Sequence, residues 1–167
     1  AGGRRQRRGG RRGGCKGGRA LVLGAMGPGV GGGAGLTGRL YTGSNHAGLE
    51  VGHMVIQHNG RSCTCGRLGC FEAYCSATAL IKRTRQVMQE EKDSLLWQAA
   101  GDLEHVNGRV PFDAAALGDA AAGRVVDEYI ESLACGLASL VTISQPEVRC
   151  IGGGPSAQGE WPLAPVR

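Results

Sequence analysis

The sequence predicts an α/β domain, and three features of the 167-residue chain lead to that fold class. Apolar runs at residues 20–23 and 148–151 each read as a buried strand, and each leads directly into a glycine cluster. After Asp119, apolar residues recur at spacings of three and four, which predicts a long helix with one face in the core, lined by Ala122, Val126, Tyr129, Leu133, Leu137 and Leu140. The third feature is a cysteine-rich loop between residues 53 and 75. The length suffices for one hydrophobic core.

The remaining elements follow from local signals. Residues 34–41 predict a hairpin that turns at Thr37-Gly38. Residues 73–91 have helical composition, with Lys82, Arg83 and Arg85 expected to be ordinary charges on its solvated face. Residues 113–117 predict a short helix. The long helix is expected to end before Gln145-Pro146, because the residue before a proline is disfavoured in helical conformation. His46 and His58 are expected to be exposed loop residues without a function.

The positive charge of the chain is confined to its beginning. The formal net charge is +5, but eight of the nineteen basic residues and no acidic residue lie within residues 1–19. The rest of the chain carries eleven basic and fourteen acidic residues, so no basic face for nucleic acid is expected there. Residues 1–19 are almost entirely Gly and Arg and are expected to be disordered. An RNA-binding tail and a stretch that is not native sequence are both open, and we favour the second because the segment has no aromatic residues.

Cysteine usage indicates a reducing compartment. The chain has seven cysteines, an odd number, and four of them, Cys15, Cys75, Cys135 and Cys150, are scattered singly, which is not a disulfide framework. No apolar run is long enough to predict a membrane span, and the beginning lacks the apolar core of a secretion signal. We therefore expect a cytoplasmic protein with no membrane partner.

Four potential zinc ligands, His53, Cys63, Cys65 and Cys70, lie within eighteen positions. Thiolate and imidazole are preferred zinc ligands, and a Cys3His set closes the tetrahedral shell of a structural site. The alternative is three buried free cysteines, a common state for Cys. We favour the metal site, because three cysteines within eight residues of a polar, glycine-bearing loop are not typical of a hydrophobic core. Gly66 and Gly69 would permit the tight turn between the ligands.

The two glycine clusters are candidate nucleotide-binding loops. Glycines let backbone N–H groups approach phosphate without obstruction, although a glycine run is more often only a turn. For the second cluster we favour nucleotide binding over a turn, because the order strand then glycine is the one that a nucleotide loop needs. The candidate nucleotide-binding residues are Gly27, Gly29, Gly31, Gly32 and Gly33 in the first cluster and Gly152, Gly153 and Gly154 in the second.

The segment Glu50-Val-Gly-His53, followed by the Cys-x-Cys-Gly-x-x-Gly-Cys-x-Glu run that ends at Glu72, resembles the ROK family of bacterial sugar kinases and sugar-responsive repressors. The resemblance covers residues 20–167. It implies the C-terminal lobe of an actin-like, ribonuclease H-like ATPase fold that carries a zinc knuckle. It also implies that Glu50, His53 and Glu72 bind sugar hydroxyls. Pro28 stands where family kinases have a threonine near the ATP phosphates.

The function implied by the resemblance is ATP- and Mg²⁺-dependent phosphorylation of a hexose, most like a glucokinase acting on glucose, in a protein that is a homodimer when complete. Family kinases place a catalytic Asp after an Asn ahead of the first glycine cluster, and this chain has an Arg- and Gly-rich segment there, without Asp or Asn. No catalytic residue is therefore assigned, and the isolated chain is expected to be an inactive fragment. A sugar-sensing repressor core, a structural zinc module and an RNA binder remain alternatives.

Overall fold

The structure is a computed structural model that describes residues 20–26, 29–36 and 39–153. Four sequence predictions fall outside these residues: the disorder of residues 1–19, the role of Gly27 beside Pro28, the turn at Thr37-Gly38, and the role of Gly154.

A four-stranded sheet has the order β3-β2-β1-β4. Strand β1 pairs antiparallel with β2 and parallel with β4, and β2 pairs antiparallel with β3. The strands are β1 (Ala20–Met26), β2 (Gly29–Leu36), β3 (Arg39–Leu40) and β4 (Val148–Gly153). The predicted strands at 20–23 and 148–151 are thus present and neighbour each other, and β2 and β3 confirm the pairing expected for residues 34–41.

The first glycine cluster is part of a strand rather than a loop. Gly29, Gly31, Gly32 and Gly33 lie in β2, where Gly32 faces Leu23 of β1 in register. The backbone hydrogen bonds of the sheet extend the strand through residues that have weak strand propensity of their own. Gly152 and Gly153 likewise lie within β4 and not after it.

Five helices and one 3-10 turn lie between the sheet strands. The long helix was predicted correctly, whereas the helix expected over 73–91 is divided at Ser76, whose backbone is extended (ψ 155°) and whose Oγ accepts a hydrogen bond from Ala79 N at 3.1 Å. The elements are a 3-10 turn (Val51–His53), α1 (Glu72–Cys75), α2 (Ala77–Glu90), α3 (Leu96–Ala100), α4 (Val110–Ala116) and α5 (Ala120–Ser144).

Two of the helices differ from the sequence expectation: one starts earlier than predicted, and one was not predicted. Helix α4 begins at Val110, three residues earlier than predicted, with Pro111 in its first turn. A proline is tolerated there because its missing N–H would have no partner in the helix anyway. Helix α3 was not predicted, since five residues are too few to show a period.

Helix α5 is bounded by the residues that the sequence indicated. The Asp119 carboxylate accepts hydrogen bonds from Ala122 N at 2.6 Å and from Leu95 N at 2.7 Å. Burial raises the pKa of Asp119, but these bonds and one from the Ser94 hydroxyl outweigh it, so the pKa lies below its ordinary value. Gln145 ends the helix in a left-handed conformation (φ 44°).

The core lies between α5 and the shorter elements packed on it. All six apolar residues predicted to line the buried face of α5 are buried: Ala122, Val126, Tyr129, Leu133, Leu137 and Leu140. Phe71, between Cys70 and Glu72, is fully buried. A Cβ at Gly136 would lie 2.4 Å from the Phe71 ring, so glycine is required where this ring meets α5. The contact fixes the end of the cysteine loop on the longest helix.

Among the helices of the described residues, none is both long enough and apolar enough to cross a membrane.

Candidate functional site

The cysteine loop folds as a tight knuckle, which we define as residues 53–70. Gly66 and Gly69 adopt positive φ angles of 87° and 78°. A Cβ at Gly69 would lie 1.7 Å from the Gln57 carbonyl oxygen, so this position accepts only glycine. Two backbone hydrogen bonds, from Cys63 N to Arg67 O at 2.9 Å and from Gly66 N to Cys63 O at 3.0 Å, close the turn.

The knuckle brings together all four predicted metal ligands. One donor atom each from His53, Cys63, Cys65 and Cys70 lies within 4.8 Å of the other three. Cys65 Sγ is 3.7 Å from Cys70 Sγ, and Cys63 Sγ is 3.7 Å from His53 Nδ1. A tetrahedral zinc with bonds of about 2.0–2.3 Å has ligand-to-ligand edges of about 3.6–3.8 Å. The donor set and its spacing therefore fit one zinc ion, with Nδ1 as the ring nitrogen that faces it.

The thiols of the cluster have different electrostatic surroundings. Burial, together with the neighbouring thiols, raises the pKa of Cys70 to about 12. A hydrogen bond from the Arg67 backbone N–H lowers the pKa of the exposed Cys65 and outweighs the opposing effect of desolvation. Ionising three neighbouring thiols costs free energy, because the negative thiolates repel one another. A divalent cation between them stabilises the thiolates.

Glu72 connects the knuckle to the glycine strand β2. Its Oε2 accepts a hydrogen bond from Val30 N at 3.2 Å, and its Oε1 accepts one from Thr64 Oγ1 at 3.4 Å. Cys63 Sγ lies 4.0 Å from the same Oε1. A Cβ at Gly29 would lie 2.5 Å from Oε2, so glycine at this position leaves the space that the carboxylate occupies.

The 3-10 turn that carries His53 packs just as closely on β2. A Cβ at Gly52 would lie 2.3 Å from Val30 O. His53 N donates to Glu50 O at 3.1 Å, and the Glu50 side chain is exposed. The structure thus gathers His53, Glu72 and the knuckle at the edge of the glycine strand, with Glu50 one turn before His53.

Sequence reasoning missed the group that holds the knuckle against the helices. Arg61 N donates to the Tyr74 hydroxyl at 2.7 Å, and the Arg61 guanidinium lies 4.6 Å from the centre of the Tyr74 ring. The same guanidinium forms an ion pair with Glu128 of α5, whose second oxygen accepts from Arg83 Nε at 2.9 Å. Arg83 was expected to be ordinary surface and is half-buried instead. No spacing rule could reveal these pairs, because Arg61 and Glu128 are 67 positions apart.

A family model matches most of the chain that carries this site. Residues 12–167 match the model described as the ROK family. The chain belongs to the ROK family.

Relatives of this ROK chain include sugar kinases and repressors. The glucokinase of Thermotoga maritima is 39% identical over 147 residues, which are 88% of this chain and 46% of that protein. The xylose repressor of Caldicellulosiruptor bescii is 28% identical over 149 residues, 88% of this chain and 37% of that protein. The crystal structure of a ROK family glucokinase from Streptomyces griseus in complex with glucose and AMPPNP is similar with a TM-score of 0.79 and 29% identity, over 91% of this chain and 49% of that one. This ROK chain spans about half the length of the glucokinase relatives, or less.

Proposed function

We propose that this chain is the part of an ATP- and Mg²⁺-dependent hexose kinase, glucokinase-like and acting on glucose, that holds the sugar and the nucleotide. The single observation that carries the proposal is the position of Glu72, whose carboxylate contacts both the knuckle and the backbone of the glycine strand. A kinase needs this adjacency, because the sugar hydroxyl and the transferred phosphate must meet in line.

The proposed sugar ligands are Glu50, His53 and Glu72. If zinc takes His53 Nδ1, the ion fixes the ring and leaves Nε2 to carry a proton toward a sugar hydroxyl. A carboxylate such as Glu72 accepts hydrogen bonds from sugar hydroxyls, and such charge-assisted bonds are strong and directional. In this role zinc is structural: it holds His53 and the start of α1 in place and takes no part in the chemistry.

The proposed nucleotide ligands are the glycines of β2 and β4. These strands flank β1 on its two sides, so Gly31 and Gly152 are both in register with Gly24. Glycine exposes backbone N–H groups to the phosphates of ATP, and Mg²⁺ neutralises phosphate charge when bound. A hairpin beside a parallel strand also supports assignment of the domain to the C-terminal lobe of an actin-like ATPase fold.

No residue of this chain is proposed as the base that deprotonates the sugar hydroxyl. The described part of the site offers ligands for sugar and zinc, and the segment ahead of β1 holds only Arg, Gly, Gln, Lys, Cys and Ala. We therefore expect that the chain by itself does not phosphorylate a sugar.

A chimera tests the proposal. The chain is joined to the part of the Thermotoga maritima glucokinase that it does not span, and glucose-dependent release of ADP is measured. The expected result is phosphorylation of glucose by the chimera and none by the chain by itself. Phosphorylation of glucose by the chain by itself, at a rate above that of its Glu50→Ala variant, would show that the chain contains the catalytic base and that the proposal is wrong on this point.

The repressor relative supports a second candidate, a sugar-sensing core without kinase activity. The sugar-sensing core would be indicated if the folded chimera binds a sugar in calorimetry but neither binds AMPPNP nor phosphorylates the sugar. That result would overturn the kinase proposal and retain sugar binding.

A further inference from the structure

A cleft of about 410 Å³ lies between residues 61–64 of the knuckle and α2. This volume is within the range of about 300–1,000 Å³ that is typical of small-molecule sites. Thr78, Lys82 and Gln86 form its helical wall, since residues four apart lie on one face of a helix. Cys63 and Glu72 form the wall shared with the knuckle.

The cleft is lined by more positive than negative charge. Arg61, Lys82 and Arg83 line it, and Glu72 is the acidic residue among the lining side chains. Arg61 and Arg83 share one carboxylate, that of Glu128. For Lys82 no ion pair is found within the described residues. The rest of the chain from residue 20 onward has an excess of acidic residues, so this positive wall is local and attracts an anion.

The other lining groups select among anions. The side chains of Ser62, Thr64 and Thr78 place hydroxyl groups around the cleft, and these donate to and accept from the hydroxyls of a carbohydrate. Guanidinium and ammonium groups bind phosphate by charge-assisted hydrogen bonds. The volume exceeds what a lone inorganic phosphate occupies, and the lining therefore suits a phosphate ester of a polyhydroxy compound.

We propose that this cleft is a binding site for a small phosphorylated sugar, distinct from the hexose site proposed above because neither Glu50 nor His53 lines it. Lys82 and Arg83 hold the phosphate, and the hydroxyls of Thr64 and Thr78 contact the sugar. Glu72 borders both sites, so the product class of the proposed kinase reaction would be sensed beside the residue that binds its substrate.

The test is a calorimetric titration of the zinc-loaded 167-residue chain with glucose 6-phosphate, inorganic phosphate and glucose. We expect saturable one-to-one binding of glucose 6-phosphate that is tighter than that of inorganic phosphate and that weakens as salt is added. Lys82→Ala should weaken it by about tenfold, the order expected for one charge-assisted hydrogen bond. Lys92→Ala, which removes the same charge at a lysine stacked on Trp97, should leave it unchanged.

Three results would overturn the proposal. One is the absence of saturable binding of glucose 6-phosphate at millimolar concentration. The second is an equal loss of affinity for glucose 6-phosphate in Lys82→Ala and Lys92→Ala, which would indicate that binding depends only on the net charge of the chain. The third is loss of binding in Glu72→Gln but not in Lys82→Ala, which would place the ester in the proposed hexose site. Because glucose binding is scored in the same titrations, failure of the cleft and failure of the hexose site are distinguishable.

Discussion

Glu72 Oε2 accepts a hydrogen bond from Val30 N at 3.2 Å, which joins the first residue of α1 to the glycine strand β2. The two residues are 42 positions apart, and Oε2 occupies space that a side chain at position 29 would need, since a Cβ at Gly29 would lie 2.5 Å from it. The carboxylate that ends the cysteine motif therefore lies against the segment proposed to hold phosphate. The predictions below address the metal, this carboxylate, the anchoring of the knuckle and the start of α5.

The first prediction concerns the metal. We expect one zinc per chain in elemental analysis, and Cys65→Ser should lower the zinc content because it removes one of four ligands. Cys135→Ser, at an exposed cysteine of α5 outside the cluster, is the matched control and should retain full zinc. Chelation should increase hydrogen exchange of residues 50–75, since a closed thiolate site contributes folding free energy directly. Wild-type protein without zinc, or full zinc in Cys65→Ser, contradicts the assignment.

The second prediction concerns Glu72 in the glucokinase chimera. Glu72→Gln should weaken glucose binding by about 1–3 kcal/mol, the cost of losing one charge-assisted hydrogen bond in a partly buried site, while zinc content is unchanged. The control is Glu131→Gln, an exposed carboxylate on α5, which should bind glucose as the wild type does. Calorimetry with glucose gives both affinities, and equal affinity for Glu72→Gln and wild type would remove Glu72 from the sugar site.

The third prediction concerns the ion pair that anchors the knuckle. The Arg61 and Glu128 side chains are 35% and 33% exposed, and a double-mutant cycle of Arg61→Ala and Glu128→Ala should give a coupling free energy of about 1 kcal/mol. The exposed pair Arg124–Glu91, whose side chains are 58% and 48% exposed, should give about 0.5 kcal/mol or less in the same measurement. Urea unfolding supplies all the free energies. Equal coupling free energies in both pairs would show that the lower exposure of the Arg61–Glu128 pair does not strengthen its ion pair.

The fourth prediction concerns the cap of α5. Asp119→Ala should lower the free energy of unfolding at pH 7 by about 1–2 kcal/mol, because two partly buried N–H groups, those of Ala122 and Leu95, lose their acceptor. The pKa of Asp119 is lower in the folded than in the unfolded state, so its contribution is complete above the unfolded pKa of about 3.9 and is lost as the pH falls through the folded pKa. The destabilisation caused by Asp119→Ala should therefore shrink below about pH 4.

Asp127→Ala, at an exposed aspartate within α5, is the control for this pH dependence and should be close to neutral at both pH values. Urea unfolding at pH 7 and pH 3 measures the differences. A destabilisation by Asp119→Ala that is the same at both pH values would mean that the carboxylate does not act in its charged form.

The sequence by itself determined the features that depend on near neighbours. The spacing of His53, Cys63, Cys65 and Cys70 within eighteen positions was enough to predict one ligand cluster, because a short loop must keep them close. Asp119 and Gln145-Pro146 bounded α5, since capping and proline restrictions act over a few residues. The family motif ending at Glu72 was equally visible, because it is contiguous.

The tertiary structure alone decided which distant residues share the site. The glycine run was expected to be a loop, and pairing with β1 made most of it a strand, since a glycine segment has little preference of its own and takes its conformation from its partner. The pair Glu72–Val30, 42 positions apart, depends on how α1 packs against β2, and the pair Arg61–Glu128, 67 positions apart, depends on how the knuckle packs against α5. Such contacts leave no local pattern, because the packing that brings their partners together involves residues elsewhere in the chain, such as Phe71 where its ring meets Gly136.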